Sequence, residues 1–109
     1  MRFMMFVCSD SDPDPKTEKT GDIEAWLHDV EKQRLLGDRL RPAADAKTVR
    51  VRGGRKMVVD GPFAEAKEVI LGFDILDCAS MEEAIEIAAK HPMARAGRIE
   101  VRALWPFEG

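Results

Sequence analysis

The chain has 109 residues, of which 45% are hydrophobic and 34% are charged. This length and balance are typical of one globular domain, so we expect residues 1–109 to form a single domain. The formal net charge of −3 provides no basic field, which disfavours direct binding of nucleic acid or of an anionic membrane surface. No apolar run approaches the roughly 18 residues that span a bilayer, and the apolar start is too short for a signal peptide. We therefore expect a cytoplasmic protein.

The two cysteines, Cys8 and Cys78, are far apart in the sequence, and no second cysteine or histidine stands near either at metal-ligand spacing. Their positions predict neither a disulfide framework nor a metal site. Each falls near the end of a predicted strand, where we expect a small buried hydrophobic side chain. The sequence also contains no glycine-rich phosphate loop or nucleophile motif, so we expect no cofactor.

The first predicted element is a strand at residues 2–8, which is bounded by a loop rich in serine, aspartate and proline. Both of its faces are apolar, because side chains alternate along a strand: Phe3, Met5 and Val7 point one way, and Met4, Phe6 and Cys8 point the other. Such a strand is covered on both sides. We therefore expect either a central strand between two layers or a second subunit on the far face.

A helix is predicted next, with Asp22 as its N-cap. Its apolar stripe repeats at three- and four-residue intervals through Ile23, Trp26, Leu27 and Val30. We expect three to four turns that end near Gly37, since glycine is favoured just after a helix. Residues 38–44, which include Pro42, then indicate an edge strand or a connector.

A β-hairpin is predicted at residues 48–59, because two β-prone runs flank the pair Gly53-Gly54. A two-residue loop fixes the register, so that Arg52 faces Arg55 and Arg50 faces Met57. Arg50, Arg52 and Arg55 therefore share one side. This side either binds an anion or an acidic neighbour such as Glu65 or Glu68, or it is a solvated face that protects an edge from aggregation.

A sharp bend follows the hairpin at Asp60-Gly61-Pro62. Gly61 can adopt a positive φ and Pro62 fixes the φ of the next residue, so the backbone after Asp60 is held in one direction. Asp60 is our first candidate for a carboxylate base. Alternatively, it locks the loop through charge-assisted hydrogen bonds to Lys67 or to an arginine of the hairpin.

The second half repeats the strand and helix pattern. Residues 69–78 form the longest β-prone run, in which Gly72 indicates a bulge or a close backbone approach. Ser80 and Glu83 form a capping box, and the buried stripe of the following helix is expected at Met81, Ala84, Ile85 and Ala88. That helix ends at His91-Pro92. A closing strand then alternates over residues 98–105, with Ile99, Val101, Ala103 and Trp105 facing the core.

The stretch Asp60-Gly61-Pro62-Phe63, followed by Glu65 and by Lys67-Glu68, resembles the signature of the DGPF branch of the YCII-related family. The similarity extends outward to residues 1–8, 48–52 and 100–102, so it covers nearly the whole chain. It implies a ferredoxin-like α+β fold, a split βαβ sandwich of the dimeric α/β-barrel type. It also implies a possible association with sigma factors, whose genes often lie near those of relatives, and an activity on small aromatic compounds in a few members.

The predicted element order agrees with the split βαβ pattern, in which both helices cover the same side of one sheet. The other sheet face carries apolar residues that need burial. A second copy of the same surface is the simplest cover, so we predict a homodimer. A ligand pocket is then expected between the sheet and the partner subunit, with Trp26 or Phe63 in its wall.

The candidate catalytic residues are Asp60 and His91, and the candidate ligand-binding residues are Trp26, Arg50, Phe63, Glu65 and Lys67. His91 is the best general base by residue type, but a helix C-terminus also favours an imidazolium for purely structural reasons. Many YCII relatives carry Asp-Pro where His91-Pro92 stands, with a histidine on the first helix proposed to pair with that aspartate. Trp26 lies nearer to the place of that histidine than His28 does, so the dyad is not reproduced here.

Two functions remain open from the sequence. The first is a small dimeric protein that binds a small aromatic or anionic molecule, with or without cofactor-independent enzyme activity. The second is an interaction module, for instance an accessory to a sigma factor, which uses the bend at Asp60 or the basic hairpin. A cavity lined by Asp60, His91 and an arginine favours the first hypothesis. An Asp60 engaged within the loop, with no cavity, favours the second.

Overall fold

A computed structural model describes residues 1–15, 22–61 and 68–107 of the chain. Its elements, in chain order, are β1 (Arg2–Cys8), α1 (Ile23–Asp29), β2 (Arg34–Arg39), a 3-10 turn (Ala43–Asp45), β3 (Lys47–Arg52), β4 (Arg55–Asp60), β5 (Ile70–Asp77), α2 (Met81–Ala89), α3 (Met93–Ala96) and β6 (Arg98–Ala103). The fold is therefore of the mixed α+β class. No helix in these ranges is long and apolar enough to cross a membrane.

Four strands form the main sheet in the order β2-β5-β1-β6, and every neighbouring pair is antiparallel. The outer strands are β2 and β6, so β1 lies inside the sheet, as its two apolar faces predicted. The helices pack against the face that carries Phe3, Met5 and Leu76, and none of these three side chains has any solvent exposure. This core holds α1 and the α2–α3 segment in place over the sheet, mainly through burial of apolar area.

The opposite sheet face is apolar but incompletely covered within one chain. Directly paired residues share a face, and the pairs Met4↔Ile75 and Phe6↔Phe73 lie at its centre. All four side chains are half-buried, and Leu36, which pairs with Ile75, is 53% exposed. We call these five residues the open face.

Strands β3 and β4 form a separate two-stranded hairpin. The observed register is the one that the sequence predicts: Arg52 opposite Arg55 and Arg50 opposite Met57. Gly53 and Gly54 both have a positive φ, at 58° and 74°, which is the backbone that a tight two-residue loop requires. Every residue of the two strands except Thr48 is exposed, so the hairpin stands away from the core.

Several local predictions are confirmed. The Asp22 side chain accepts a hydrogen bond from the Glu24 amide, and Ser80 accepts one from the Glu83 amide, so both residues cap their helices. Gly61 has a φ of 95°. Beside Gly72 the register of β1 against β5 shifts, and a Cβ at this glycine would come within 2.9 Å of the Asp38 carbonyl oxygen. Gly72 therefore combines a bulge with a close backbone approach.

The predicted extent of the first helix is wrong. The helix ends at Asp29, and Arg34–Arg39 forms the edge strand β2 instead of the last two turns. Pairing with β5 explains the difference, because the backbone of these residues forms hydrogen bonds with β5. A local helical pattern in the sequence contains no information about this long-range pairing.

Three predicted core positions are also wrong. Ala103, the last residue of β6, is exposed. Trp105 is 96% exposed because β6 ends at Ala103, two residues before it. On α2, Ile85 is 50% exposed and Ile87 is buried in its place, so the buried stripe runs through Ala84, Ile87 and Ala88. Cys78 is buried as expected, whereas Cys8 is only half-buried, and both thiols are free.

Candidate ligand-binding site

A cavity of about 730 Å³ lies between α1, the β2–β5 edge of the sheet and the segment after α2. Its walls are mainly apolar, with Val7 from the sheet, Trp26 and Leu27 from α1, and Met93 from α3. The charged or polar side chains among its lining residues are Glu24, Arg34, Asp38, Arg39, Asp74 and His91. Apolar walls with a few polar groups are the usual composition of a small-molecule site.

Asp74 is a carboxylate in the middle of the apolar strand β5. Side chains alternate along this strand, so Asp74 lies on the same face as Leu76, toward the helices, and it is 6% exposed. Burial raises the pKa of the Asp74 carboxyl, whereas the adjacent Arg34 guanidinium acts in the opposite direction. The guanidinium of its partner, Arg34, therefore offsets part of the effect of burial on this carboxyl.

Arg34 provides that partner from the neighbouring strand β2. Its Nε donates to Asp74 Oδ1 at 2.7 Å, and a terminal guanidinium nitrogen donates to the Gly37 carbonyl oxygen at 2.8 Å. A guanidinium that bridges a carboxylate and a backbone carbonyl is held in one orientation. The cavity thus contains a fixed ion pair between two strands.

Gly37 has no side chain, and the Arg34–Asp74 ion pair occupies the space where a side chain would lie. A Cβ at this position would collide with Asp74 Oδ1 and would lie 2.7 Å from both the Arg34 guanidinium and the Phe73 carbonyl oxygen. The glycine is therefore required by a close approach and not by the sharp helix end that the sequence suggested.

His91 lines the cavity from the segment just after α2 and is 7% exposed. Its backbone amide donates to the Ala88 carbonyl oxygen, and its Nδ1 accepts a hydrogen bond of 2.9 Å from the Met93 amide. This bond leaves the proton of the neutral ring on Nε2. Burial lowers the pKa of His91 to about 4, so the ring is neutral at pH 7.

The expectation that the helix C-terminus stabilises an imidazolium here is wrong, because burial lowers the pKa of His91. A neutral imidazole with such a low pKa is a weak base. Its chemistry in the cavity is that of a hydrogen-bond donor through Nε2.

Trp26 connects the two helical segments beside the cavity. Its indole Nε1 donates to the Ile87 carbonyl oxygen at 2.9 Å, which ties α1 to the end of α2. The Trp26 and His91 rings meet edge to face, with centroids 4.6 Å apart. Each aromatic side chain therefore has a fixed orientation in the wall.

The residues proposed from the sequence are thus divided among different regions. Trp26 and His91 line the cavity. The Asp60 side chain is 83% exposed at the end of β4 and forms an ion pair with Lys47, and Arg50 is exposed on the hairpin. His28 is an exposed residue of α1. Phe63, Glu65 and Lys67 lie outside the described residues.

Glu68, expected as an acidic neighbour of the hairpin arginines, lies instead beside Ser11 and Arg98, with its Oε1 3.9 Å from the Arg98 guanidinium.

Thr48 Oγ1 donates to the Gly61 carbonyl oxygen, and the Gly61 amide donates to the Ala46 carbonyl oxygen. The described part of the bend is therefore fastened to the start of the hairpin.

Sequence reasoning missed Asp74 and Arg34. A signal for Asp74 was available, since it is a charged residue inside the longest β-prone run. It lies two residues from both Gly72 and Leu76, so the three share one face of the strand. Arg34 was assigned to the predicted first helix, so its position on a strand beside β5 was not expected. Among the described residues, no group of three or more histidine, cysteine or acidic side chains is arranged to hold a metal ion.

Comparison with solved structures gives a related protein of similar size. The 5-chloro-2-hydroxyhydroquinone dehydrochlorinase from Burkholderia phenoliruptrix AC1100, in complex with 2,5-dihydroxybenzoquinone, superposes with a TM-score of 0.50. The match covers 99% of this chain and 96% of that chain, at 15% sequence identity. At this identity the likeness extends to the fold.

Sequence comparison gives both a relative and a family. An uncharacterized protein from Rhizobium meliloti (strain 1021) is 47% identical over 68 residues, which are 61% of this chain and 55% of the relative. The chain thus matches about half the length of that relative. The sequence pattern of the YCII-related domain matches residues 1–108. The protein therefore belongs to the YCII-related domain family.

Proposed function

We propose that this YCII-family protein binds a small aromatic molecule with ionised or hydrogen-bonding oxygen substituents in the cavity between α1 and the sheet. The observation that carries the proposal is the fixed Arg34–Asp74 pair inside a mainly apolar cavity that the neutral His91 also lines. A volume of about 730 Å³ lies within the range of known small-ligand pockets.

The walls support an aromatic ligand. Val7, Leu27 and Met93 provide apolar surface, and the edge of Trp26 adds an aromatic contact. The fold neighbour was captured with a dihydroxybenzoquinone, a planar ring of this chemical class, which is consistent with such a ligand here.

The polar groups support oxygen substituents on that ring. The lining carries two arginines, Arg34 and Arg39, which can give charge-assisted hydrogen bonds to a phenolate or carboxylate. It also carries three carboxylates, Glu24, Asp38 and Asp74, which can accept hydrogen bonds from hydroxyl groups. His91 Nε2 supplies a neutral donor. Any cofactor-independent catalysis in the cavity would use the Asp74 carboxylate as its base, since His91 is too weakly basic near pH 7.

The proposal also includes a homodimer of cytoplasmic, single-domain subunits. The exposed apolar surface of the open face supports pairing of two copies. The strand order β2-β5-β1-β6, with helices between β1 and β2 and between β5 and β6, supports a ferredoxin-like split βαβ sandwich for each subunit. Two free thiols are consistent with a reducing compartment.

We further propose that the chain belongs to the DGPF branch, on the basis of Asp60-Gly61-Pro62-Phe63 and the residues after it. In this proposal Asp60 locks the bend, since its carboxylate pairs with Lys47. Phe63, Glu65 and Lys67 remain candidates for ligand contacts near that bend, and Arg50 remains a candidate for binding an anion at the hairpin.

The second candidate is an interaction module, including an accessory to a sigma factor. The exposed hairpin with its three arginines favours this function. The cavity favours ligand binding, so we rank the interaction module second.

Isothermal titration calorimetry with 2,5-dihydroxybenzoquinone and with benzoate tests the ligand site. Ile23 lines the cavity and is 43% exposed, so Ile23→Trp fills the mouth without burying a polar group. Leu40→Trp is the control, because Leu40 is similarly exposed and lies outside the lining. We expect binding of at least one probe to wild type and to Leu40→Trp, and its loss in Ile23→Trp.

Equal binding to all three proteins would contradict the cavity as the site, as would failure of both probes to bind. Asp60→Asn is expected to bind as wild type does. Selective loss of binding in Asp60→Asn would indicate that the ligand binds at the bend after β4 and not in the cavity.

A further inference from the structure

The hairpin formed by β3 and β4 has a charge opposite to that of the rest of the chain. Between Lys47 and Asp60 there are five basic residues and one acidic residue, so this segment carries a formal charge of +4. The whole chain carries −3, so the remainder carries −7. A cationic arm on an acidic protein is electrostatically complementary to a second copy of the same protein.

The two sides of the hairpin differ in chemistry. Val49, Val51 and Val58 share one side with Lys56, and these valines are 60%, 59% and 53% exposed. We call this the valine side. The other side carries the three arginines. A contiguous row of exposed valines on a hairpin that contacts little of its own core needs a cover from outside the chain.

A surface of matching chemistry lies at the far edge of the main sheet. Between α2, α3 and β6 there is a groove of about 280 Å³, which is lined by small and aliphatic side chains such as Ile85, Ala88 and Ile99 and by Arg98, whose guanidinium is paired with Asp10. Glu82 and Glu86 are exposed on α2 on either side of Ile85 in sequence, one turn apart. The groove therefore has an apolar floor with one arginine that is already paired, and the helix that borders it carries two exposed carboxylates.

The topology allows the two surfaces to meet between copies. The hairpin leaves the sheet between β2 and β5, at the β2 edge, whereas the groove borders β6 at the opposite edge. A two-fold axis along the strand direction that stacks two open faces brings the β2 edge of one copy beside the β6 edge of the other. The groove lies on the helix side of the sheet, so the hairpin has to pass around the β6 edge of the second copy. A six-residue strand is about 20 Å long, which exceeds the roughly 10 Å between two stacked sheets.

We propose that two copies exchange their hairpins. The valine side of each hairpin packs into the groove between α2 and β6 of the second copy, and Lys56 lies against the carboxylates of Glu82 and Glu86. This inference goes beyond the ligand site and rests on the pairing of two copies proposed above. Burial of the valines supplies the affinity, and the opposite charges select the orientation.

Sedimentation equilibrium of wild type and variants tests the exchange. We expect a wild-type dimer, and a dissociation constant at least about tenfold weaker for Val51→Asp, which puts a charge at the centre of the buried patch. Lys56→Glu and Glu86→Lys should each weaken the dimer through repulsion. Lys32→Glu makes the same charge change at an exposed site outside the hairpin, so it should leave the dimer unchanged.

Mixing the two charge-reversed variants provides the sharpest readout. In a heterodimer of Lys56→Glu with Glu86→Lys, both exchanged contacts again join opposite charges, so the mixture should dimerise more tightly than either variant alone. Circular dichroism on each variant establishes that the subunits are folded. A wild-type dimer that is equally tight in every hairpin variant, or a mixture that does not recover, would overturn the exchange.

A wild-type monomer at all concentrations would overturn both the exchange and the dimer on which it rests. Ligand binding in the cavity is measured separately by calorimetry on the same samples. The failure of the hairpin contact is therefore distinguishable from the failure of the proposed function.

Discussion

Acidification is expected to destabilise this protein through His91, and the substitution His91→Asn isolates the effect. The ordinary pKa of histidine is near 6.5 and burial lowers that of His91 to about 4, so the folded state binds its proton less readily than the unfolded state does. The stability that the neutral ring provides is complete above about pH 6.5 and is lost as the pH falls toward the folded value. Asparagine does not ionise, and its side chain can accept the Met93 amide bond as the imidazole does.

The magnitude follows from the two pKa values. Between pH 7.5 and pH 5, the wild type should lose about 2 kcal/mol of unfolding free energy relative to His91→Asn, by integration of the proton linkage. Urea denaturation at both pH values measures the difference, and the comparison cancels the titration of groups that the two proteins share. His28→Asn is the control, since His28 is exposed on α1 and its variant should follow the wild type.

Parallel stability curves for wild type and His91→Asn over this range would refute the argument. They would mean that water reaches the ring and that its burial has no influence on its protonation. The neutral Nε2 donor assigned to the cavity would then lose its physical basis.

The other predictions concern the groups that build the cavity, and urea denaturation at pH 7 measures the effect of each. Arg34→Met leaves the buried Asp74 charge without its partner, so it should cost on the order of 3 kcal/mol and raise the pKa of Asp74 further, whereas Arg34→Lys should cost less. Gly37→Ala should destabilise by a similar amount, because its Cβ displaces the same ion pair, and a loss under about 0.5 kcal/mol would contradict the observed packing. Trp26→Phe removes the bond to the Ile87 carbonyl oxygen and should cost about 1 kcal/mol beyond the packing change, so an unaltered midpoint would count against that bond.

Local sequence signals predicted the parts of the fold that are determined locally. The hairpin register followed from Gly53-Gly54 because a two-residue loop allows one pairing, and both helix caps followed from side chains that bind amides two or three residues away. The resemblance to the YCII family, carried by short motifs, was confirmed by the match over residues 1–108. The DGPF branch and the dimer stay predictions.

Positions determined by tertiary pairing were not predictable in this way. Residues 34–37 continue a helical pattern in the sequence, yet they pair with β5 and form part of strand β2. Trp105 continues an alternating pattern, yet it has no neighbouring strand to pair with once β6 ends. In each case the local pattern is genuine, and long-range contacts decide the outcome.

The candidate site shows the same division. His91 and Trp26 were identified by residue type and lie in the cavity, although their roles in binding stay predictions. Asp74 and Arg34 come from strands that are adjacent in space but far apart in sequence, so their pairing appears only once the sheet order is known. Asp60, the first candidate from the sequence, is engaged with Lys47 at the surface.

The central claim, an aromatic ligand in the cavity beside α1, is tested most directly by the indole N–H signals of the two tryptophans in a ¹⁵N-labelled sample. Trp26 is 3% exposed in the cavity wall, and Trp105 is 96% exposed beyond β6, so the second indole is an internal control. On titration with 2,5-dihydroxybenzoquinone or benzoate, the account predicts a saturable shift of the Trp26 signal and a constant Trp105 signal. A constant Trp26 signal, or equal shifts of both indoles, would contradict it.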